Sequence, residues 1–245
     1  MIRRFLGAVQ FLTLLPSSGA TTTPPGQAAI FFPLVGVLLG LFAGASLLAF
    51  SMFLTRSLSA LLSLALLLVA TGCLHEDGLA DVADAVRAGR TREKMMAILK
   101  DSRIGTYGAV ALVLSIGLRW EAMSELAHPV AGLAAAIALS RASLVVLAGI
   151  TPSLGAGMGS AFALGCTRSA INVVAAQVFI VVLVAAWFIG VWPALAMLTA
   201  WLLIILLARQ FFLRRLGGVN GDCLGATCQV VETINLLILS CHSFI

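Results

Sequence analysis

The sequence predicts an all-α protein: a polytopic transmembrane bundle of about seven helices with an N-terminal interfacial amphipathic helix. Three observations carry this. Of 245 residues, 61% are hydrophobic and only 10% charged, against about 25% charged in an average soluble domain. Several apolar stretches approach the roughly 20 residues that cross a bilayer as a helix, which satisfies its own N–H and C=O groups where water cannot. The basic residues, finally, collect in alternate loops, as they do where Lys and Arg stay on the cytoplasmic side.

Residues 1–16, MIRRFLGAVQFLTLLP, start basic and turn apolar as a signal peptide does, and Ser17, Ser18, Gly19 and Ala20 read as a cleavage site. Phe5, Leu6, Val9, Leu12 and Leu15 nevertheless repeat at helical spacing, and Gln10 and Thr13 interrupt the apolar run, so an interfacial amphipathic helix is expected. A turn-rich linker, PSSGATTTPPGQ, follows over 16–27. Spans are expected at 28–54 with a kink at Pro33, 57–74, 105–119, 128–150, 171–190, 193–209 and 224–240. Gly36, Gly40 and Gly44 in the first recur every fourth residue, giving a face on which another helix packs closely. The longest polar stretch, 75–104, is too short to bury its own core, so residues 1–245 form one membrane domain.

Seven spans place Arg3, Arg4, Arg87, Arg90, Arg92, Lys94, Lys100, Arg103, Arg168, Arg209, Arg214 and Arg215 on one side, which is then the cytoplasmic side. Arg56 and Arg119 fall opposite, and Arg141 lies within a span. This bias accounts for the net charge of +5 without a nucleic-acid partner. Cys73, Cys166, Cys223, Cys228 and Cys241 form no CxxC pair, and Cys73 with His75 is half of a zinc site at most.

Six of the ten acidic residues fall between 76 and 101. In CLHEDGLADVAD (73–84), Asp77, Asp81 and Asp84 stand at i, i+4 and i+7 and share one helical face. Like charges so placed repel, and a divalent cation relieves them; hard carboxylate oxygens suit Mg2+, which takes one or two of them plus phosphate oxygens. GGVNGDCLGA (217–226) offers glycines for close backbone approach and Asp222 at the start of the last helix, with Gln229 and Glu232 deeper. Glu232 has Arg141 as a candidate partner inside the membrane. Between the clusters, KDSRIGTYG (100–108) sets Lys100 and Arg103 before a helix start, a ready anion site. His75 is a candidate base or ligand, whereas His128 and His242 read as interfacial. Metal-held phosphate facing cations points to transfer at a phosphorus centre.

At this point the chain resembles the cobalamin synthases, or adenosylcobinamide-GDP ribazoletransferases, over roughly residues 2–240. The resemblance rests on FLTLLP (11–16), FPLVG (32–36), TGCLHEDGLADVAD (71–84), KDSRIGTYG (100–108), Ser140 with Arg141, and GGVNGDCLGA (217–226) with Glu232. The chain departs from the usual pattern, which has Arg at Leu14, Gly at Cys73, a hydrophobic residue at Glu76, Thr at Asn220 and Cys223, and often Glu at Gln229. The resemblance implies a magnesium enzyme of the bacterial cytoplasmic (inner) membrane, its site facing the cytoplasm, that joins adenosylcobinamide-GDP to α-ribazole or its 5′-phosphate and releases GMP. It implies Asp77, Asp81, Asp84 and Asp222 as metal ligands, with Asp84, His75, Lys100, Arg103 and Arg141 in the catalytic set. Membrane lipid surrounds such an enzyme; a homo-oligomer or a complex with other pathway enzymes stays open. The alternatives are a CDP-alcohol phosphotransferase, whose D-x-x-D-G-x-x-A-R pattern fails at Leu74 and Asp81, a polyprenyl transferase, whose D-x-x-D pair is one residue shorter than Asp77 to Asp81, and a cation-coupled transporter, which would hold its charges nearer the midplane.

Overall fold

The computed structural model describes residues 1–15, 24–101, 103–155 and 158–241, so His242 and the stretch 17–20 lie outside the described residues. The architecture is all-helical, and the one extended pairing among the described residues is an isolated parallel bridge between Ser153 and Val219.

The helical spacing at the N-terminus becomes α1 (Ile2–Leu12), which turns Ala8 and Leu12 inward. Phe5 meets Phe31 edge-on at 5.9 Å, and Phe11 joins a stack with Phe32 and Phe162, so α1 is seated by aromatic contacts. A short α2 (Pro25–Ala28) and a 3-10 turn (Ala29–Phe31) lead into α3 (Phe32–Ser51). Pro33 occupies the first turn of α3, where a missing N–H costs little, and opens a helix instead of kinking one.

Next, α4 (Arg56–Thr71) and α5 (Leu74–Ala88) meet at a bend of 90°. Two consecutive left-handed residues make it, Gly72 at φ +62° and Cys73 at φ +54°. The Cys73 conformation is strained for a residue with a side chain, and a Cβ on Gly72 would also lie 2.8 Å from Leu14. The remaining helices are α6 (Arg92–Ile98), α7 (Thr106–Ser124), α8 (Pro129–Ile150), α9 (Met158–Gly165), α10 (Arg168–Ile189), α11 (Val191–Arg215) and α12 (Gly221–Leu239).

Five segments are long and apolar enough to cross a membrane: Gly26–Ser51, α8, α10, α11 and α12. Counting the bent α4 and α5 as one broken span makes six, so a count of seven is not confirmed. The difference lies in two segments. Helix α4 has 16 residues, about 24 Å of rise against a hydrocarbon core of about 30 Å. Helix α7 has 19 residues but carries Arg119 and Glu121.

Helix α8 is the central post, buried along most of its length. The glycine stripe of α3 lies directly on it: a Cβ on Gly40 would come within 2.4 Å of the Ala134 Cα, and one on Gly44 within 2.5 Å of the Val130 Cα. Those glycines pack helices, as the sequence suggests. On the far side, α10 and α11 expose Phe179, Trp187, Leu202 and Leu206, apolar surface suited to lipid. Helices α5, α7 and α12 close around the polar side of α8, and the candidate site lies among them.

Candidate active site

Helix α5 turns 90° away from α4, and its fifteen residues include His75, Glu76, Asp77, Asp81, Asp84 and Arg87, a density of ionisable groups that the apolar spans do not share. Asp77 is exposed, Asp81 half-buried and Asp84 buried. The first turn of α12 comes against them, with Gly78 so close that a Cβ there would lie 2.9 Å from the Asp222 carbonyl oxygen. Two clusters far apart in sequence therefore share one crevice. Asn220 caps α12, accepting from the Cys223 N–H at 3.0 Å, and its amide donates to the Asp222 carboxylate at 2.7 Å. The loop before it is pinned by the Leu154 N–H donating to the Val219 carbonyl at 2.8 Å and the Val219 N–H to the Pro152 carbonyl at 2.9 Å.

Burial, and then the charges of Asp77, Asp222 and Asp84, push the Asp81 carboxyl up to about 6. A cation would reverse that penalty. Among the described residues no three His, Cys, Asp or Glu side chains come together closely enough to hold a metal ion by themselves. An open set of carboxylates still fits magnesium, which keeps water and phosphate oxygens in most of its octahedron. Asp77, Asp81 and Asp222 supply hard oxygen donors of the right kind, and one oxygen of Asp222 already accepts from the Asn220 amide.

Asp84 is also held by the backbone of another helix. Its two oxygens accept from the Gly105 N–H at 2.7 Å and the Gly108 N–H at 2.9 Å. These are the N-cap and third residue of α7, whose cap residue has no side chain of its own, so Asp84 caps that helix from α5. Both glycines are required by this contact, since a Cβ on either would come within 2.5 Å of the carboxylate oxygens. Asp84 thereby places the segment 100–108 beside the crevice. Within it Lys100 is exposed, while Arg103 is exposed and closed onto Asp101 at 2.7 Å, which draws the Asp101 carboxyl down.

His75 and Arg141 do not open onto the crevice. His75 is buried against Gly225, and its Nδ1 has no hydrogen-bond partner among the described residues. Arg141 belongs to a buried ion network that ties four helices together. Arg119 of α7 pairs with Glu76 of α5 and with Glu232 of α12, each at 3.0 Å. Arg141 of α8 pairs with the other oxygen of Glu232 and donates to Ser140 at 2.7 Å. Gln229 donates to Glu76 at 2.9 Å. The reading of Glu232 as the partner of Arg141 is realised in this geometry.

Arg119 is the residue that the sequence misplaces. A base near the end of an apolar run reads as an edge residue, yet Arg119 is 1% exposed. Charge balance was the available signal: Glu76 and Glu232 border or enter apolar helices, Arg141 answers only one of them, and Arg119 is the other base within reach of a span.

The family model described as cobalamin-5-phosphate synthase matches residues 4–240. The chain belongs to that family. It is 40% identical to the adenosylcobinamide-GDP ribazoletransferase of Bradyrhizobium diazoefficiens, over 94% of this chain and 90% of the relative. It is 36% identical to the protein of the same name from Vibrio cholerae, over 96% and 92%. With that of Brevibacillus brevis it shares 33% identity over 96% of both chains. No solved structure matches it. The family match spans the aspartate face of α5, the Asp84-held segment and the start of α12, so all the parts of the crevice fall within it.

Proposed function

We propose that this membrane enzyme transfers the adenosylcobinamide-phosphate moiety of adenosylcobinamide-GDP to α-ribazole or its 5′-phosphate, giving adenosylcobalamin or its phosphate and GMP. The observation that carries the chemistry is the meeting of Asp222 with the aspartate face of α5 through the contact at Gly78. A ribose hydroxyl of the ribazole attacks the phosphorus nearest the cobinamide and gives up its proton to water, the bond from that phosphorus to the bridging oxygen breaks, and GMP leaves with the electron pair. Asp77, Asp81 and Asp222 are the residues that would hold magnesium. Magnesium bound there would neutralise the diphosphate oxygens and the charge growing on the leaving phosphate.

The other residues act by position. Asp84 fixes the start of α7, so the exposed Lys100 stands on a segment anchored at the crevice edge, where its charge meets phosphate. Arg103 offers a second cation once it exchanges Asp101 for substrate phosphate. The buried Arg119 and Arg141 set the angle at which α5 and α12 meet. The positive-inside bias supports a cytoplasmic membrane location with the crevice on the cytoplasmic side, where a soluble nucleotide product would be released.

The test is GMP release by the purified chain in lipid vesicles with both substrates over a magnesium series. The reading requires GMP and the cobalamin product in equal amounts, and none without magnesium. GMP appearing without a ribazole would instead mark a hydrolase, and a cation flux with no GMP would mark a transporter.

A further inference from the structure

On the side of α5 turned away from Asp77 and Asp81, Leu79, Val82 and Val86 face α11 and α12 across an open groove of about 460 Å3, floored by Leu207, Phe211 and Val230. The hydroxyl of Thr227, also in its wall, is already donated to the Cys223 carbonyl at 2.8 Å, so the groove offers a ligand little but hydrocarbon. Past Val86 and Phe211, which line both, it continues into a second cavity of about 600 Å3. That cavity holds Arg87, Arg90 and Arg215 with Tyr107, and among the described residues no acidic one lines it. Arg87 lies over the Tyr107 ring at 5.6 Å, and Arg215 donates to the Val86 carbonyl at 3.1 Å. None of the three guanidiniums has a carboxylate partner among the described residues.

We propose that the two cavities form one site for an anionic phospholipid, with an acyl chain in the groove and the headgroup phosphate among Arg87, Arg90 and Arg215. Charge and shape select this occupant. The groove follows α11, a membrane-crossing helix, from Phe211 back to Ile204, about 10 Å of depth. Three guanidiniums at its mouth pair with a phosphate and repel the ammonium of a zwitterionic lipid. A soluble phosphate would leave the groove unused. A second copy of this chain would bring no carboxylate on α10 or α11, its broad apolar helices. A bound lipid braces α5 from behind while its other face carries the aspartates. That consequence for turnover rests on the function proposed above, whereas the binding itself does not.

Native mass spectrometry of the full-length, delipidated protein, titrated with phosphatidylglycerol or phosphatidylcholine, tests the site. Phosphatidylglycerol should bind roughly tenfold or more tightly. The exposed double variant Arg87→Gln/Arg90→Gln should lose that preference, and Leu207→Trp, which fills the groove, should weaken both lipids. Equal binding of the two lipids by the wild type, or an unchanged preference in the double variant, overturns the proposal. Glycerol phosphate competing as well as the whole lipid would reduce the site to a phosphate pocket and overturn it too. So would a dimer that Leu207→Trp dissociates, because a second copy would then own the groove. Lipid selectivity that persists without any GMP release would strike the proposed reaction and leave this site standing.

Discussion

Glu76 and Asp77 are neighbours on α5, yet their carboxylates live in opposite electrostatic surroundings. Glu76 is buried and meets Arg119 at 3.0 Å and Gln229 at 2.9 Å, within a network of two acids and two bases. Asp77 is exposed and faces Asp81 and Asp222, with no cation against it among the described residues. Helix α12 repeats the contrast, with Asp222 in the crevice and Glu232 three turns deeper between Arg119 and Arg141. A buried carboxylate survives when the chain itself supplies its counter-charge. One left facing its own kind is stable only with a charge brought from outside. The first arrangement holds helices together, and the second is where the proposed metal and phosphate would bind.

The comparison can be broken by experiment, and the largest effect belongs to the crevice. Asp77→Asn and Asp81→Asn should each lower GMP release by about a hundredfold or more, the several kcal/mol that a metal-held phosphate loses. Thermal unfolding in detergent should stay near that of the wild type. A variant that keeps its rate removes that residue from the metal site. Glu232→Gln should do the reverse, destabilising the fold by about 3 kcal/mol because two buried guanidiniums lose their shared partner. A Glu232→Gln protein as stable as wild type but inactive would move the network into the active site.

Glu76 and Gln229 sharpen the contrast through a double-mutant cycle. Glu76→Gln leaves Arg119 with one acid, and Gln229→Glu adds a third buried acid, so each alone should lower stability by about 1–3 kcal/mol. The double exchange keeps the charge beside Arg119 and should recover most of the loss. Additive losses would show that the two side chains do not share one counter-charge. Asp222→Asn should lower turnover less than the α5 variants and raise the magnesium needed for half-maximal rate. An unchanged rate and magnesium dependence would leave Asp222 as a helix-start residue only. The mildest effect is with pH: Asp81 takes up a proton near 6 in the metal-free crevice, so the apparent magnesium affinity should fall as pH drops from 8 through 6. A magnesium requirement flat across that range would contradict the crowding of carboxylates around Asp81.

Much of this was legible before the structure. The helical class, the packing role of Gly36, Gly40 and Gly44, the shared face of Asp77 and Asp81, and the pairing of Glu232 with Arg141 follow from spacing and from the cost of charge in lipid. Three things did not follow. The bend at Gly72 and Cys73 arises from two left-handed residues, and nothing in the sequence pattern predicts that conformation at a cysteine. Arg119 sits where an apolar run ends, so hydropathy assigned it to an edge, whereas its place is set by acids on two other helices. Asp84 shares the helical face of its neighbours by periodicity, but its carboxylate is claimed by two backbone N–H groups of a helix more than twenty residues on. Periodicity reports which side a residue occupies and is silent on which partner arrives there.

The clasp of Asp84 on the start of α7 also fixes what the intervening chain is free to become. Because Gly105 and Gly108 are held to α5 by that carboxylate, residues 89–104 form an excursion whose two ends are anchored independently of its length. Closing a flexible loop twice as long costs only about 0.6 kcal/mol more. The excursion can therefore lengthen or change in sequence without shifting either the aspartate face of α5 or the line of α7, provided Met95 and Leu99 keep their buried seats. Lys100 and Arg103 ride on this interchangeable piece, while the crevice carboxylates belong to the rigid frame. In an engineered or diverging relative, the reach toward the proposed substrate's phosphate would change by alterations in this one loop, with the aspartate face of α5 left untouched.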